Sequence, residues 1–150
     1  MKRSVLFYLV DDDADDASIF EEVLLEVAPA ACLQWAKDGE EALELLRAAE
    51  VLPDLVFLDL NMPRLNGMEC LKQLKSESRL QEIPVIMYTT SSQAKDIEEA
   101  LLTGALCFIT KPSSMKGLRD ILASFSGTLP GDLPGTLRSL SKTADTFIAC

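Results

Sequence analysis

The chain has 150 residues, 48% of them hydrophobic, which is long enough for one domain with a real core and short for two. Its 24 acidic against 14 basic residues give a formal charge of −10, which repels a phosphate backbone and argues against nucleic-acid binding. Apolar runs reach only strand length, far below the roughly 20 residues of a membrane span, and no signal peptide is evident, so the expectation is a soluble, cytoplasmic protein without a membrane partner.

Residues 5–10 form an apolar run that ends at Asp11, Asp12 and Asp13. Such a run reads as a strand buried on both faces, the pattern of a parallel sheet. Ile19, Val23, Leu24 and Val27 then recur at helical spacing and predict a first helix. Residues 31–36 give a weaker strand, expected at an edge. Asp38-Gly39 signals a turn before a second helix carrying Ala42, Leu43, Leu45 and Leu46. A second buried run at 55–58 ends at Asp59, and Asn66-Gly67 opens a helix with Met68, Leu71, Leu74 and Lys75. The run at 85–88 leads to Thr89 and Thr90; a helix over 97–102 closes at Gly104. The last run, 107–109, leads through Thr110 to Lys111-Pro112, and Leu118, Ile121, Leu122 and Phe125 predict a fifth helix. Five βα units with right-handed crossovers give an α/β fold: a three-layer, doubly wound parallel five-stranded sheet. Beyond Phe125 the Gly and Pro density of residues 126–135 reads as a linker. Leu137, Leu140, Ala144, Phe147 and Ile148 form one stripe of a short helix if the end is not partly disordered.

Three separated patches fall at the C-terminal ends of buried strands: Asp11-Asp12-Asp13, Asp59, and Lys111-Pro112. In an open α/β sheet, ligands collect in the crevice outside those ends, so the patches predict one shared site. Clustered carboxylates repel and need a cation, and a small set of hard oxygen ligands suits Mg²⁺. Plainer explanations cover part of the acidic run. Asp15 and Asp16 lie past the strand end and fit a solvated helix start, where carboxylates are favoured. Asp13 is either a cap or a minor contributor to the site, and Asp54, after Pro53, reads as a turn residue. Thr89 and Thr90 alone are weak signals, because threonine favours strands. Asp59 is the hardest to explain structurally, since an uncompensated carboxylate ending an apolar strand is costly. Cys32, Cys70, Cys107 and Cys150 lack metal-ligand spacing, and in a chain without histidine they read as buried thiols plus one at the terminus.

Asp11-Asp12, the segment Asp59-Leu-Asn-Met-Pro-Arg-Leu-Asn-Gly67, Thr89 after Pro84-Val-Ile-Met-Tyr88, and Lys111-Pro112 together resemble the receiver domain of two-component response regulators, over about residues 4–126. The resemblance implies a flavodoxin-like fold with strand order 2-1-3-4-5, a receiver domain over 1–126, and a Gly/Pro-rich C-terminal tail over 127–150. It implies Mg²⁺-dependent phosphoryl transfer from a histidine kinase to Asp59, with Lys111 and Thr89 acting on the phosphoryl oxygens. The metal ligands it implies are Asp12, Asp59, the backbone carbonyl of Asn61, and Asp11 through water. Thr89 and Phe108 occupy the switch positions, with Phe108 where an aromatic hydroxyl is commoner, and Thr90 is larger than the residue in many members. With no effector domain in the sequence, the resemblance is to the single-domain, chemotaxis-regulator-like class, in which phosphorylation switches a surface for a downstream protein target. The alternative is a phosphorelay intermediate that passes the phosphoryl group to a histidine phosphotransfer protein. Either way the chain is expected not to be an enzyme. A phosphohydrolase with an aspartyl-phosphate intermediate wants a second Asp two residues after the nucleophile, and Asn61 stands there.

Overall fold

The computed structural model of the protein describes residues 4–128 and 148–149. Strands and helices alternate as β1 (Leu6–Val10), α1 (Ala14–Val27), β2 (Cys32–Ala36), α2 (Gly39–Ala48), β3 (Leu55–Leu58), α3 (Gly67–Ser76), β4 (Val85–Thr89), α4 (Ala94–Thr103), β5 (Cys107–Thr110) and α5 (Met115–Thr128), followed by β6 (Ile148–Ala149). The sheet order is β2-β1-β3-β4-β5-β6; the first five strands are parallel, in the predicted order, and β6 pairs antiparallel with β5.

β6 is an addition to the predicted sheet. It places Ile148 opposite Ile109, so this position of the anticipated tail helix is extended, and residues 137–147 lie outside the described residues. A parallel sheet must be covered on both faces, and every residue of β3 and β4 is buried. Alternation along the strands divides the core. Phe7 and Leu9 face α1 and α5 with Phe20, Phe57, Tyr88 and Phe125, whereas Tyr8 and Val10 face α2, α3 and α4 with Leu58, Leu71 and Phe108. β2, at the edge, is largely exposed, as is Cys32, which the sequence had suggested was buried.

The turn signals act as caps. Asp13, Asp38 and Asn66 each accept backbone N–H groups of the helix that follows, and Gly104 ends α4 at φ 122°. Asp54 does more than turn the chain. Its carboxylate accepts the Leu6 N–H at 2.8 Å while its own N–H donates to the Leu6 carbonyl, fixing the start of β1 against β3.

The stripe of α1 differs in phase from the predicted one. Ala17, Phe20, Val23 and Leu24 are buried, while Ile19 is 39% exposed. The larger aromatic ring takes the inward position because Phe57 and Tyr88 offer it edge-on partners at 5.1 and 5.8 Å. Leu45 and Leu102 likewise face outward.

Candidate functional site

β1 and β3 end side by side, with Val10 opposite Leu58, so the next residue of each, Asp11 and Asp59, emerges at one mouth. The Asp59 N–H donates to the Val10 carbonyl at 2.9 Å, and the Asp11 N–H donates to Ala36 of β2 at 3.0 Å. The Trp35 indole adds a 2.7 Å hydrogen bond to the Asp11 carbonyl. These bonds continue the ladder one residue past the strands and hold the acids in place. Carboxylate oxygens of Asp11, Asp12 and Asp59 all lie within 4.8 Å of one another, with Asp11 and Asp59 buried and Asp12 exposed. An all-oxygen, hard, anionic donor set of this size fits a small divalent cation such as Mg²⁺, which keeps several of its waters.

β5 supplies the opposite charge. The Lys111 N–H donates to the Thr89 carbonyl at 2.7 Å, which continues the β4–β5 pairing and turns the side chain into the mouth. Its Nζ lies 2.7 Å from Asp11 Oδ2, 2.8 Å from Asp16 Oδ2 and 3.6 Å from Asp59 Oδ2. The ammonium also stands 5.7 Å from the centroid of the Tyr88 ring. Burial works against the charge of Lys111, but the hydrogen bonds to Asp11 and Asp16 and the charge of Asp59 outweigh it and hold the lysine above its ordinary range. Burial pushes the Asp11 carboxyl up to about 6, despite hydrogen bonds from Lys111 and from the Asp13 N–H, and the negative charge of Asp59 adds to the rise. An additional cation at this mouth relieves that strain.

Thr89 and Phe108 are fully buried. Thr89 sits at the end of β4, its hydroxyl accepting the Ser91 N–H at 3.4 Å, and Phe108 lies opposite Met87 on β5. Asn61 is exposed two residues beyond Asp59, on the loop that leads to α3. That loop is tied at its far end by the Gly67 N–H donating to the Leu60 carbonyl at 2.9 Å. At its middle, Arg64 adopts a left-handed φ of 63° and its guanidinium pairs with buried Asp38, the cap of α2.

Asp11, Asp12, Asp59 and Lys111 therefore meet, and Thr89 and Phe108 lie behind them on β4 and β5. Asp16 is the residue that sequence reasoning placed elsewhere: it is a direct partner of Lys111 rather than a solvated helix-start acid. The signal was present. Asp16 precedes Phe20 by one helical turn, so it joins the sheet-facing stripe once that stripe is assigned to Phe20 instead of Ile19. The Asp38–Arg64 pair had no comparable signal, since its partners come from different loops.

Residues 7–123 match the family described as the response regulator receiver domain. A chemotaxis protein CheY homolog of Campylobacter jejuni is 32% identical over 124 residues, covering 83% of this chain and 94% of that protein. Among solved structures, the phosphorylated cyanobacterial phytochrome response regulator RcpA is 31% identical with a TM-score of 0.75, covering 81% of this chain and 91% of that one. The Mn²⁺-bound form of response regulator Rcp1 is 28% identical with a TM-score of 0.73, covering 82% and 92% respectively. The chain spans about a third of the length of two protein-glutamate methylesterases that it also matches, one from Methanospirillum hungatei and one from Thermotoga maritima.

Proposed function

The chain belongs to the response regulator receiver family of two-component signalling, and from that premise we propose that it accepts a phosphoryl group on Asp59 and thereby switches a protein-binding surface. The observation that carries this reading is the convergence of Asp11, Asp12 and Asp59 within 4.8 Å, with Lys111 at 3.6 Å from the Asp59 carboxylate. A carboxylate held beside a fixed ammonium and a cation-binding pair is equipped to attack an anionic phosphoryl group.

The Asp59 carboxylate attacks the phosphorus of a phosphohistidine on a histidine kinase or phosphotransfer protein. The O–P bond forms as the N–P bond breaks, and the departing imidazole nitrogen keeps the electron pair and is protonated from solvent. Asp11, Asp12, Asp59 and the carbonyl of Asn61 would hold Mg²⁺, which when bound neutralises charge on the transferring oxygens. Lys111 contributes a point charge to those oxygens and Thr89 a hydroxyl hydrogen bond. Once the phosphoryl group is in place, Thr89 moves toward it and Phe108 repacks, which carries the change to the face of α4, β5 and α5 and to a downstream protein target. The groups act on the protein's own Asp59, so the protein is a switch and not a turnover enzyme. No described helix is long and apolar enough to cross a membrane.

Incubation with acetyl phosphate and Mg²⁺ tests the acceptor. Intact-protein mass spectrometry is expected to find one added phosphoryl group, absent from Asp59→Asn; equal yield in that variant overturns the assignment. Beryllofluoride with Mg²⁺ tests the switch, with amide NMR shifts expected at Thr90, Ala105 and Phe108. Shifts confined to the surroundings of Asp59 favour a phosphorelay carrier instead.

A further inference from the structure

Lys111 is shared unevenly. Its ammonium is within hydrogen-bond distance of Asp11 and Asp16 but 3.6 Å from Asp59, so it is drawn toward the first turn of α1 and away from the acceptor. Asp11 belongs to the metal-binding set, but Asp16 does not: it is absent from the carboxylates that converge, and its side chain is 41% exposed on α1. Its neighbour Asp15 carries the same charge and is exposed, yet forms no ion pair with Lys111.

We infer that Asp16 is a positioning residue that competes with a phosphoryl group on Asp59 for Lys111, holding the lysine back in the unmodified protein and releasing it on phosphorylation. The inference rests on the acceptor role of Asp59. An ammonium has three donors, and two are already engaged by carboxylates at 2.7 and 2.8 Å. Phosphoryl oxygens on Asp59 bring roughly 1.5 to 2 further negative charges into the mouth and draw the ammonium toward them. The contact that yields is the one to the half-exposed Asp16, whose carboxylate water solvates at small cost, rather than the one to buried Asp11. The first turn of α1 thereby registers whether Asp59 carries a phosphoryl group.

Trp35 reports on the site through its hydrogen bond to the Asp11 carbonyl, and it is the only tryptophan in the chain. Its fluorescence is followed while beryllofluoride is titrated, with Mg²⁺ in excess, into wild type, Asp16→Asn, Asp16→Glu and Asp15→Asn, after melting curves establish that each is folded. Asp16→Asn is expected to bind the analogue roughly twofold to fivefold more tightly, the range for a partly exposed ion pair. Asp15→Asn is expected to match wild type, and Asp16→Glu, whose carboxylate still reaches the ammonium, to lie between wild type and Asp16→Asn. In wild type the amide signals of Asp16 and Ala17 shift on binding; in Asp16→Asn they do not. Equal or weaker binding by Asp16→Asn, or equal tightening by Asp15→Asn, overturns the inference while leaving the acceptor reading intact. A wild-type protein that does not respond to the analogue overturns both.

Discussion

Gly67 stands where only a hydrogen fits. A Cβ there would lie 2.0 Å from the Asp59 carbonyl oxygen and 2.7 Å from Leu60 Cα, backbone atoms with no freedom to swing aside. Gly67→Ala is expected to cost about 3 kcal/mol in denaturant unfolding and to displace the strand end that carries Asp59; a cost below roughly 0.5 kcal/mol would mean that the loop yields freely. Asp38 offers a pH test. Its hydrogen bond from the Glu41 N–H holds the carboxyl below its ordinary 3.8, burial opposes this, and Arg64 reinforces it. A depressed folded value stabilises fully above the unfolded value and is lost as pH falls through the folded one. Asp38→Ala, which loses a helix cap, is therefore expected to cost about 1 to 2 kcal/mol at neutral pH, with the gap from wild type narrowing in unfolding curves below about pH 4. A gap that does not change with pH excludes the charge as its source. Asp11, Asp12, Asp59 and Lys111 were legible in the sequence because polar residues ending apolar runs have few structural reasons to be there. Asp16 was legible only through the correct phase of the first helix, and the pairing of Asp38 was not, since it is indistinguishable from an ordinary helix-start acid until Arg64 is brought from another loop.

Elements were legible to the extent that burial left a period. β1, β3, β4 and β5 are buried on both faces and read as unbroken apolar runs, and edge strand β2 read as a weaker one. Helical spacing identified all five helices, and the turn signals at Asp38-Gly39, Asn66-Gly67 and Gly104 marked three of their ends. It did not fix the phase of α1, where Ile19 and Phe20 compete for the inward position and only the sheet decides between them. The decision is an aromatic cluster, in which Phe57 meets Phe20 at 5.1 Å and both Tyr88 and Phe125 at 5.7 Å, all near edge-on. Phe20→Ala is expected to lose about 3 to 5 kcal/mol of unfolding free energy, and Ile19→Ala less than about 0.5. The reverse ranking in chemical denaturation would restore the predicted stripe. β6 carried no sequence signal, because two residues are too short to establish a period of two.

Of the chain's 24 acids, Asp11, Asp12 and Asp59 converge where β1 and β3 end, and cation binding there is expected to stabilise the fold by linkage. Mg²⁺ at about five times its dissociation constant adds about 1 kcal/mol and raises the melting temperature of wild type, while Asp12→Ala, lacking one ligand, gains less. An identical rise in both would place the cation elsewhere. The shape of the sheet made the shared site legible, since parallel strands deliver their C-terminal ends to one edge whatever the distance between them in the chain. The same arrangement separates the site's charges in time. A growing chain presents Asp11, Asp12 and Asp59 before Lys111 is synthesised. Until then those acids have no lysine beside them. Asp11 and Lys111 stand 100 residues apart in the chain and meet at 2.7 Å, so the charge of this mouth is balanced only once the fifth strand is in place.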